Sequence, residues 1–146
     1  MYRNSVAFAL WLMATYAFAQ NSFQVNGSTG HIRSMGNSPT AVVASGAGVG
    51  ATCTIASATD SVGNVTLTPG TSPGGGLQCA VDFAATYGVT PVCHLVPSNN
   101  LTTVLAAVNG IYNTQTTTAM SIYFAGANVT AAGSYQWSYW CVEPTM

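Results

Sequence analysis

The cysteines Cys53, Cys79, Cys93 and Cys141 set the strongest limit on what this chain can fold into, because each falls in a short segment of strand character. Leu77, Cys79, Val81 and Phe83 alternate with Gln78, Ala80 and Asp82, the period-two pattern of a strand with one buried face. After Phe83 the run AATYGVT breaks that period with small turn residues, and Pro91 restarts an extended segment, Val92-Cys93-His94-Leu95-Val96. Thr52 to Ala58 reads as a strand around Cys53, and Tyr135, Trp137, Tyr139 and Cys141 alternate with Gln136, Ser138 and Trp140 as the last strand. Four cysteines allow three pairings. The expected one joins Cys53 to Cys79, tying the opening strand to the central one across a Gly/Pro-rich loop, and Cys93 to Cys141, stapling the last strand into the sheet. Closed loops of ~27 and ~49 residues are each worth on the order of 3.5 to 4 kcal/mol in the chain-entropy account.

A disulfide framework needs an oxidising compartment, and the start of the chain is consistent with export. MYRNSVAFALWLMATYAFA couples a single positive side chain, Arg3, to an apolar stretch from Val6 to about Ala14 and a small-x-small motif, Ala17-Phe18-Ala19. Residues 1–19 read as a signal peptide cut before Gln20, the rival reading being a retained apolar N-terminal helix. Its apolar residues number about 15, short of the ~20 that a membrane span needs. Residues 20–30 read as a polar, flexible lead-in, and residues 31–146 as the folded domain.

At the start of that domain, Gly30-His31-Ile32-Arg33-Ser34 supplies a short entry strand. Asn64 to Thr68 (NVTLT) forms another, with Asp60, Ser61 and Gly63 at the turn before it. PGTSPGGG, residues 69–76, is a loop, and Met120, Ile122 and Phe124 alternate with Ser121 and Tyr123 as a strand. Leu101 to Ile111 fits two readings: Leu101, Val104, Leu105 and Val108 have helical spacing, whereas Thr102, Thr103 and the β surroundings favour a strand. Short strands between Gly/Pro/Asn turns at near-regular intervals indicate an all-β domain, a single antiparallel β-sandwich of jelly-roll-like type stapled by disulfides.

Charge narrows the function classes. Only 3% of the 146 residues are charged, against a usual ~25%, so Ser, Thr, Asn, Gln and Gly must cover the surface. No basic patch can be built from Arg33 and Arg3, which excludes a nucleic-acid binder working by phosphate neutralisation. An uncharged polar surface suits a secreted or particle-bound protein, or a subunit that buries much of its surface in an oligomer.

The residues for catalysis or metal binding are sparse. His31 and His94 are the available bases and Asp60, Asp82 and Glu143 the available acids, and there is no Gly-x-Ser-x-Gly elbow. Asp82 and His94 read as outward residues of neighbouring strands sharing a cross-strand hydrogen bond rather than as a catalytic pair. Cysteine spacings of 26, 14 and 48 without a CxxC pair do not match a structural zinc module. The GAGVG run, Gly46 to Gly50, lacks the following helix and Lys-Ser/Thr of a phosphate loop. The expectation is therefore a non-enzymatic protein with no catalytic residues, no metal site and no cofactor.

The aromatics are more informative. Tyr135, Trp137 and Tyr139 are expected in the core beside Cys141, leaving Trp140 on the opposite side of its strand. Trp140 and Tyr123 are the candidates for contact with a glycan or a neighbouring subunit, since aromatic faces stack on sugar rings and uncharged polar side chains hydrogen-bond hydroxyls. Asn-x-Ser/Thr sequons begin at Asn26, Asn64, Asn100 and Asn128, a number expected by chance in a Thr- and Asn-rich chain.

The series DSVGNVTLTPGTSP, then QCAVDFAATYGVTPVCHLVPSN, then YQWSYWCVE resembles a small β-sandwich domain at the C-termini of phage tail-fibre, head-fibre and related virion proteins, also seen in some bacterial surface proteins. The shared pattern is an Asp-x-x-Gly-x-(Val/Ile)-Thr strand, a Thr-Gly-rich loop, a Cys-x-(Val/Ile)-x-Phe strand, an Ala-rich turn, Ala/Thr-Pro-Val-Cys and a final aromatic strand with a cysteine. The similarity runs from about Gly30 to Glu143, and Leu101 to Tyr112 fits it only loosely. It implies a trimeric, non-enzymatic module for attachment or for decorating a particle surface, with neighbouring virion or surface proteins and cell-surface glycans as partners. A host-encoded secreted adhesin or pilus-like subunit is the alternative. Either way the chain is expected outside the cytoplasm or on a virion surface.

Overall fold

The computed structural model describes residues 23–126 and 129–144, so the 1–19 segment expected as a signal peptide or apolar helix lies outside the described residues. The described chain runs β1 (Phe23–Val25), β2 (Ile32–Ser34), β3 (Thr40–Val43), a 3-10 turn (Ser45–Ala47), β4 (Thr52–Ala56), β5 (Val62–Thr68), β6 (Gly76–Asp82), β7 (Val92–Pro97), α1 (Asn100–Asn109), β8 (Ile111–Gln115), β9 (Ala119–Phe124) and β10 (Tyr135–Val142). Two four-stranded antiparallel sheets carry the fold, ordered β4-β5-β10-β7 and β3-β6-β9-β8. Their eight strands divide four and four; β4–β5 and β8–β9 are hairpins within one sheet, and the other connections cross between sheets. β3 lies beside β4 and β7 beside β8, so the sheets meet along both margins around one core.

Burial follows the two-residue period. On β10, Tyr135, Trp137, Tyr139 and Cys141 point inward and Trp140 outward. They meet Val65 and Leu67 of β5, Cys79 and Val81 of β6, and Met120, Ile122 and Phe124 of β9. The Trp137 ring centroid lies 5.9 Å from that of Phe124 and 6.4 Å from that of Tyr135, within the range where aromatic pairs attract beyond simple burial. Each such side chain gains roughly 1.5–3 kcal/mol from leaving water.

The disulfides join Cys53 to Cys79 and Cys93 to Cys141. The first crosses from β4 to β6 and therefore links the two sheets; the second lies within one sheet, where Cys93 and Cys141 face each other in register. The Cys141 N–H is turned away from β7 toward the Ser61 carbonyl at 2.8 Å. Cys93 and Cys141 are thus a non-hydrogen-bonded pair, the position in an antiparallel ladder where Cα atoms come closest, and theirs are 4.1 Å apart.

Several elements differ from the sequence reading. The lead-in expected over 20–30 contributes β1, which pairs with β2 around a turn ordered by Asn26, whose Oδ1 accepts from Ser28 N at 3.0 Å. A register shift between Leu77 and Cys79 marks a β-bulge that turns Gln78 inward, where its Nε2 donates to the Gly74 and Gly76 carbonyls at 2.9 and 3.1 Å. Leu101 to Ile111 resolves into helix α1 followed by the start of β8, the helix being capped by Asn99, whose Oδ1 accepts from Thr102 N at 2.9 Å. β3, just after Pro39, lies in a stretch that reads as polar and turn-rich.

Gly63, expected in a turn, is an inward position of β5 opposite Tyr139. A Cβ there would lie 2.7 Å from Tyr139 Cε1 and 2.6 Å from the Ala58 Cβ, so the missing side chain is what makes room for the tyrosine ring. Gly63→Ala is expected to destabilise the fold by about 1–3 kcal/mol through overpacking, measured as a lowered denaturation midpoint at unchanged m-value; an unaltered midpoint would show that the ring has other room.

Candidate functional site

Among the described residues, Asp60, Tyr87 and Tyr139 gather inside the fold. Asp60, in the turn between β4 and β5, is buried, and its two carboxylate oxygens accept from Ala84 N at 2.7 Å and Ala85 N at 2.9 Å. Tyr87 O–H donates to the Asp60 carbonyl at 3.0 Å, and Tyr139 O–H donates to the Thr59 carbonyl. Burial pushes the phenol of Tyr139 well above its usual value, with the Asp60 charge and Tyr87 adding to the shift. Tyr87 is raised for the same first reason, although a hydrogen bond from Ser61 works against it and the Asp60 and Glu143 charges work with it. Buried, with each carboxylate oxygen meeting a backbone N–H of the 83–91 corner and with Tyr87 and Tyr139 bonded to the neighbouring carbonyls, Asp60 fastens the β4–β5 turn to that corner as a structural clasp.

The acid and base expected on neighbouring strands are not neighbours. Asp82 sits on β6 opposite Thr40 and Ala119, whereas His94 sits on β7 opposite Trp140, in the other sheet. The reason is the corner 83–91, which carries the chain from one sheet to the other. The expected cross-strand hydrogen bond between Asp82 and His94 is therefore absent. His31 lies at the exposed turn between β1 and β2. Among the described residues no three of His, Cys, Asp and Glu gather as a metal site would require.

The outer face of the β4-β5-β10-β7 sheet is the more distinctive surface. Trp140 is 53% exposed on β10, a strand flanked on both sides, and its neighbours in register are Val62 and His94. Val92 and Val96 of β7 are also about half exposed, at 47% and 58%. The Trp140 and His94 ring centroids are 6.3 Å apart. Beside this apolar field runs a polar chain in which the Ser98 and Ser138 hydroxyls are 2.8 Å apart and Ser138 donates to Asn64 Oδ1 at 2.8 Å. Every residue that β4, β5, β7 and β10 present on this face is uncharged, with His94 the one titratable side chain.

Tyr123 is on the other outer face. It pairs in register with Tyr112 of β8, and the two rings stack with centroids 5.1 Å apart and planes 8° from parallel. Trp140 and Tyr123 therefore belong to opposite sides of the sandwich and cannot share one ligand. Tyr112 was legible as an aromatic, but only the β8–β9 register reveals the pair. Near it, where β7 and β8 run side by side, a cleft is lined by Leu95, Pro97, Ala106, Ile111, Tyr112, Asn113 and Trp137; nothing in the sequence spacing brings these residues together.

Of the sequons, Asn64 is on the Trp140 face, Asn26 is in the β1–β2 turn, and Asn100 opens α1 with its Thr102 hydroxyl buried and accepting from Gln136 N at 2.7 Å. Asn128 lies outside the described residues. Two disulfides are the mark of a chain that folds in an oxidising environment. Among the described residues no helix is long and apolar enough to cross a membrane. Comparison with protein-family models, curated proteins and solved structures finds no match to this chain.

Because the folded state holds Tyr139 protonated more firmly than the unfolded chain does, its stabilising share is whole below the ordinary tyrosine value of about 10 and is lost as pH rises beyond it. Stability is expected to fall above roughly pH 10, and Tyr139→Phe is expected to flatten that fall while costing about 1–2 kcal/mol at neutral pH through the unpaired Thr59 carbonyl. Denaturant titrations of both proteins between neutral and alkaline pH check it; parallel pH curves would remove Tyr139 as the cause.

Proposed function

We propose that the chain is a non-enzymatic surface domain that works by contact, as a virion component of tail-fibre, head-fibre or decoration type, in attachment or in assembly on a particle surface. The observation that carries this reading is the Trp140 face. A tryptophan left half exposed at the middle of a complete sheet, among exposed valines and without a charged neighbour, is the composition of an interface core, where aromatics are enriched and charges depleted. The antiparallel two-sheet architecture and the motif resemblance support the same reading, and a trimer is the oligomer it favours.

A host-encoded secreted adhesin or pilus-like subunit is the second reading. The Ala17-Phe18-Ala19 motif favours it, since disulfides require export and a cytoplasmically assembled virion protein does not.

Both readings make the Trp140 face an assembly surface. Light scattering at micromolar concentration is expected to give a trimer, and Trp140→Asp is expected to weaken association by at least about thirtyfold, the size of an interface hot spot. A parent protein that is monomeric at that concentration, or a variant that assembles equally well, would count against the assembly role.

A further inference from the structure

Asn26 and Gly27 form an Asn-Gly pair at the turn between β1 and β2, where Gly27 and Ser28 are exposed. Asn26 Oδ1 accepts from Ser28 N at 3.0 Å and from the Ser28 hydroxyl at 2.7 Å. Gly27 N donates to no backbone acceptor among the described residues, and a Cβ built on Gly27 would meet nothing within 4 Å. An electrophilic side-chain carbonyl with two donors on its oxygen thus lies one residue before an unengaged, unshielded amide nitrogen. When such a nitrogen attacks such a carbonyl, negative charge gathers on the oxygen, and donors already aimed there stabilise it as an oxyanion hole does. Glycine, having no Cβ, leaves the attacking nitrogen unhindered.

We propose that Asn26 is a self-modifying site, converted without an enzyme to aspartate and isoaspartate through a cyclic imide with Gly27. Gly27 N bonds to Asn26 Cγ and gives its proton to solvent, and Nδ2 takes a proton back and leaves as ammonia. Water then opens the five-membered ring at either carbonyl, so that one amide and one water become one acid and one ammonia, with no oxidant or cofactor. The other Asn-Gly pair of the chain is Asn109–Gly110; Asn109 is the last residue of α1, where ring closure must first break the helix end. Conversion at Asn26 alters the hairpin. The Asn26 N–H donates to the His31 carbonyl at 2.8 Å, and the Asn26 carbonyl accepts from Gly30 N at 2.7 Å. Isoaspartate routes the backbone through Cβ, which displaces that carbonyl, and a two-stranded hairpin has little stability to spare. The β1–β2 pairing therefore loosens slowly and in one direction, and the new carboxylate adds a negative charge to a chain whose formal net charge is −1. This chemistry is independent of the assembly reading.

The test ages the disulfide-intact full chain at neutral pH and physiological temperature and follows it by peptide mass spectrometry, with isoaspartate separated from aspartate by chromatography. The amide-to-acid mass gain is expected at Asn26 ahead of Asn109, with isoaspartate present. Gly27 has no left-handed φ and its Cβ position is free of contacts, so Gly27→Ala keeps the turn. That substitution is expected to slow conversion about tenfold by crowding the nitrogen. Ser28→Ala keeps the N–H, removes the hydroxyl and is expected to slow conversion about threefold, less than loss of a buried oxyanion donor because water competes. In the isoaspartate form the Gly30 amide is expected to exchange faster with deuterium. An Asn26 that converts no faster than Asn109, or a rate unchanged by either substitution, overturns the inference. Aspartate without isoaspartate rules out the cyclic imide, and unchanged Gly30 exchange rules out the loosening.

Discussion

Asp60 is the charged side chain that the fold takes inside. Burying a carboxylate is costly unless its oxygens are met by donors, and here the Ala84 and Ala85 amides meet both. That contact fastens the β4–β5 turn of one sheet to the corner that leaves the other sheet after β6. Once the corner is fixed, β7 must run beside β10, and Cys93 comes opposite Cys141. The same placement sets the far edge of β7 against β8, where the Trp137 cleft opens. Tyr87 and Tyr139 close over the clasp by hydrogen-bonding the Asp60 and Thr59 carbonyls, and Gly63 leaves the space that the second ring occupies.

Strands with one buried face were legible because alternation is a local property. β7, β9 and β10 read correctly from neighbouring residues, as did β6 except at the bulge that turns Gln78 inward, and with them the inward set Tyr135, Trp137 and Tyr139 and the outward Trp140. The partition of those strands between sheets was not legible, since it is decided by contacts such as Asp60 with Ala84, which join residues 24 apart in the chain. That is why Asp82 and His94 read as neighbours when they are split between the two sheets, and why the sequence could not say that Trp140 and Tyr123 lie on opposite faces. Other misses had a local signal. Asn99 before the helical spacing and Gly110 after it are the cap residues of α1, and they outweigh the two threonines that suggested a strand. Gly63 read as a turn because a glycine's role in clearing space for a distant ring leaves no mark on its sequence neighbours.

With so few charges, the chain cannot rely on ion pairs or on electrostatic steering, and its outward surfaces must act through shape, apolar area and neutral hydrogen bonds. The two sheets offer different versions of that chemistry. One face presents Trp140 among valines beside a serine–asparagine chain, the surface proposed above for assembly. The other presents the stacked pair Tyr112 and Tyr123. The disulfides and the Asp60 clasp hold both faces rigid, so that contact costs little ordering of the scaffold.

The division between an internal, structural set of aromatics and an external, contact-making one is tested most directly by hydroxyl-radical footprinting of the disulfide-intact protein, dilute and assembled. Trp140 is expected to be oxidised in the dilute protein and shielded on assembly, with Trp137 and Tyr139 shielded in both states. Equal oxidation of Trp140 in the two states would contradict the assignment of that face as the surface through which the protein works.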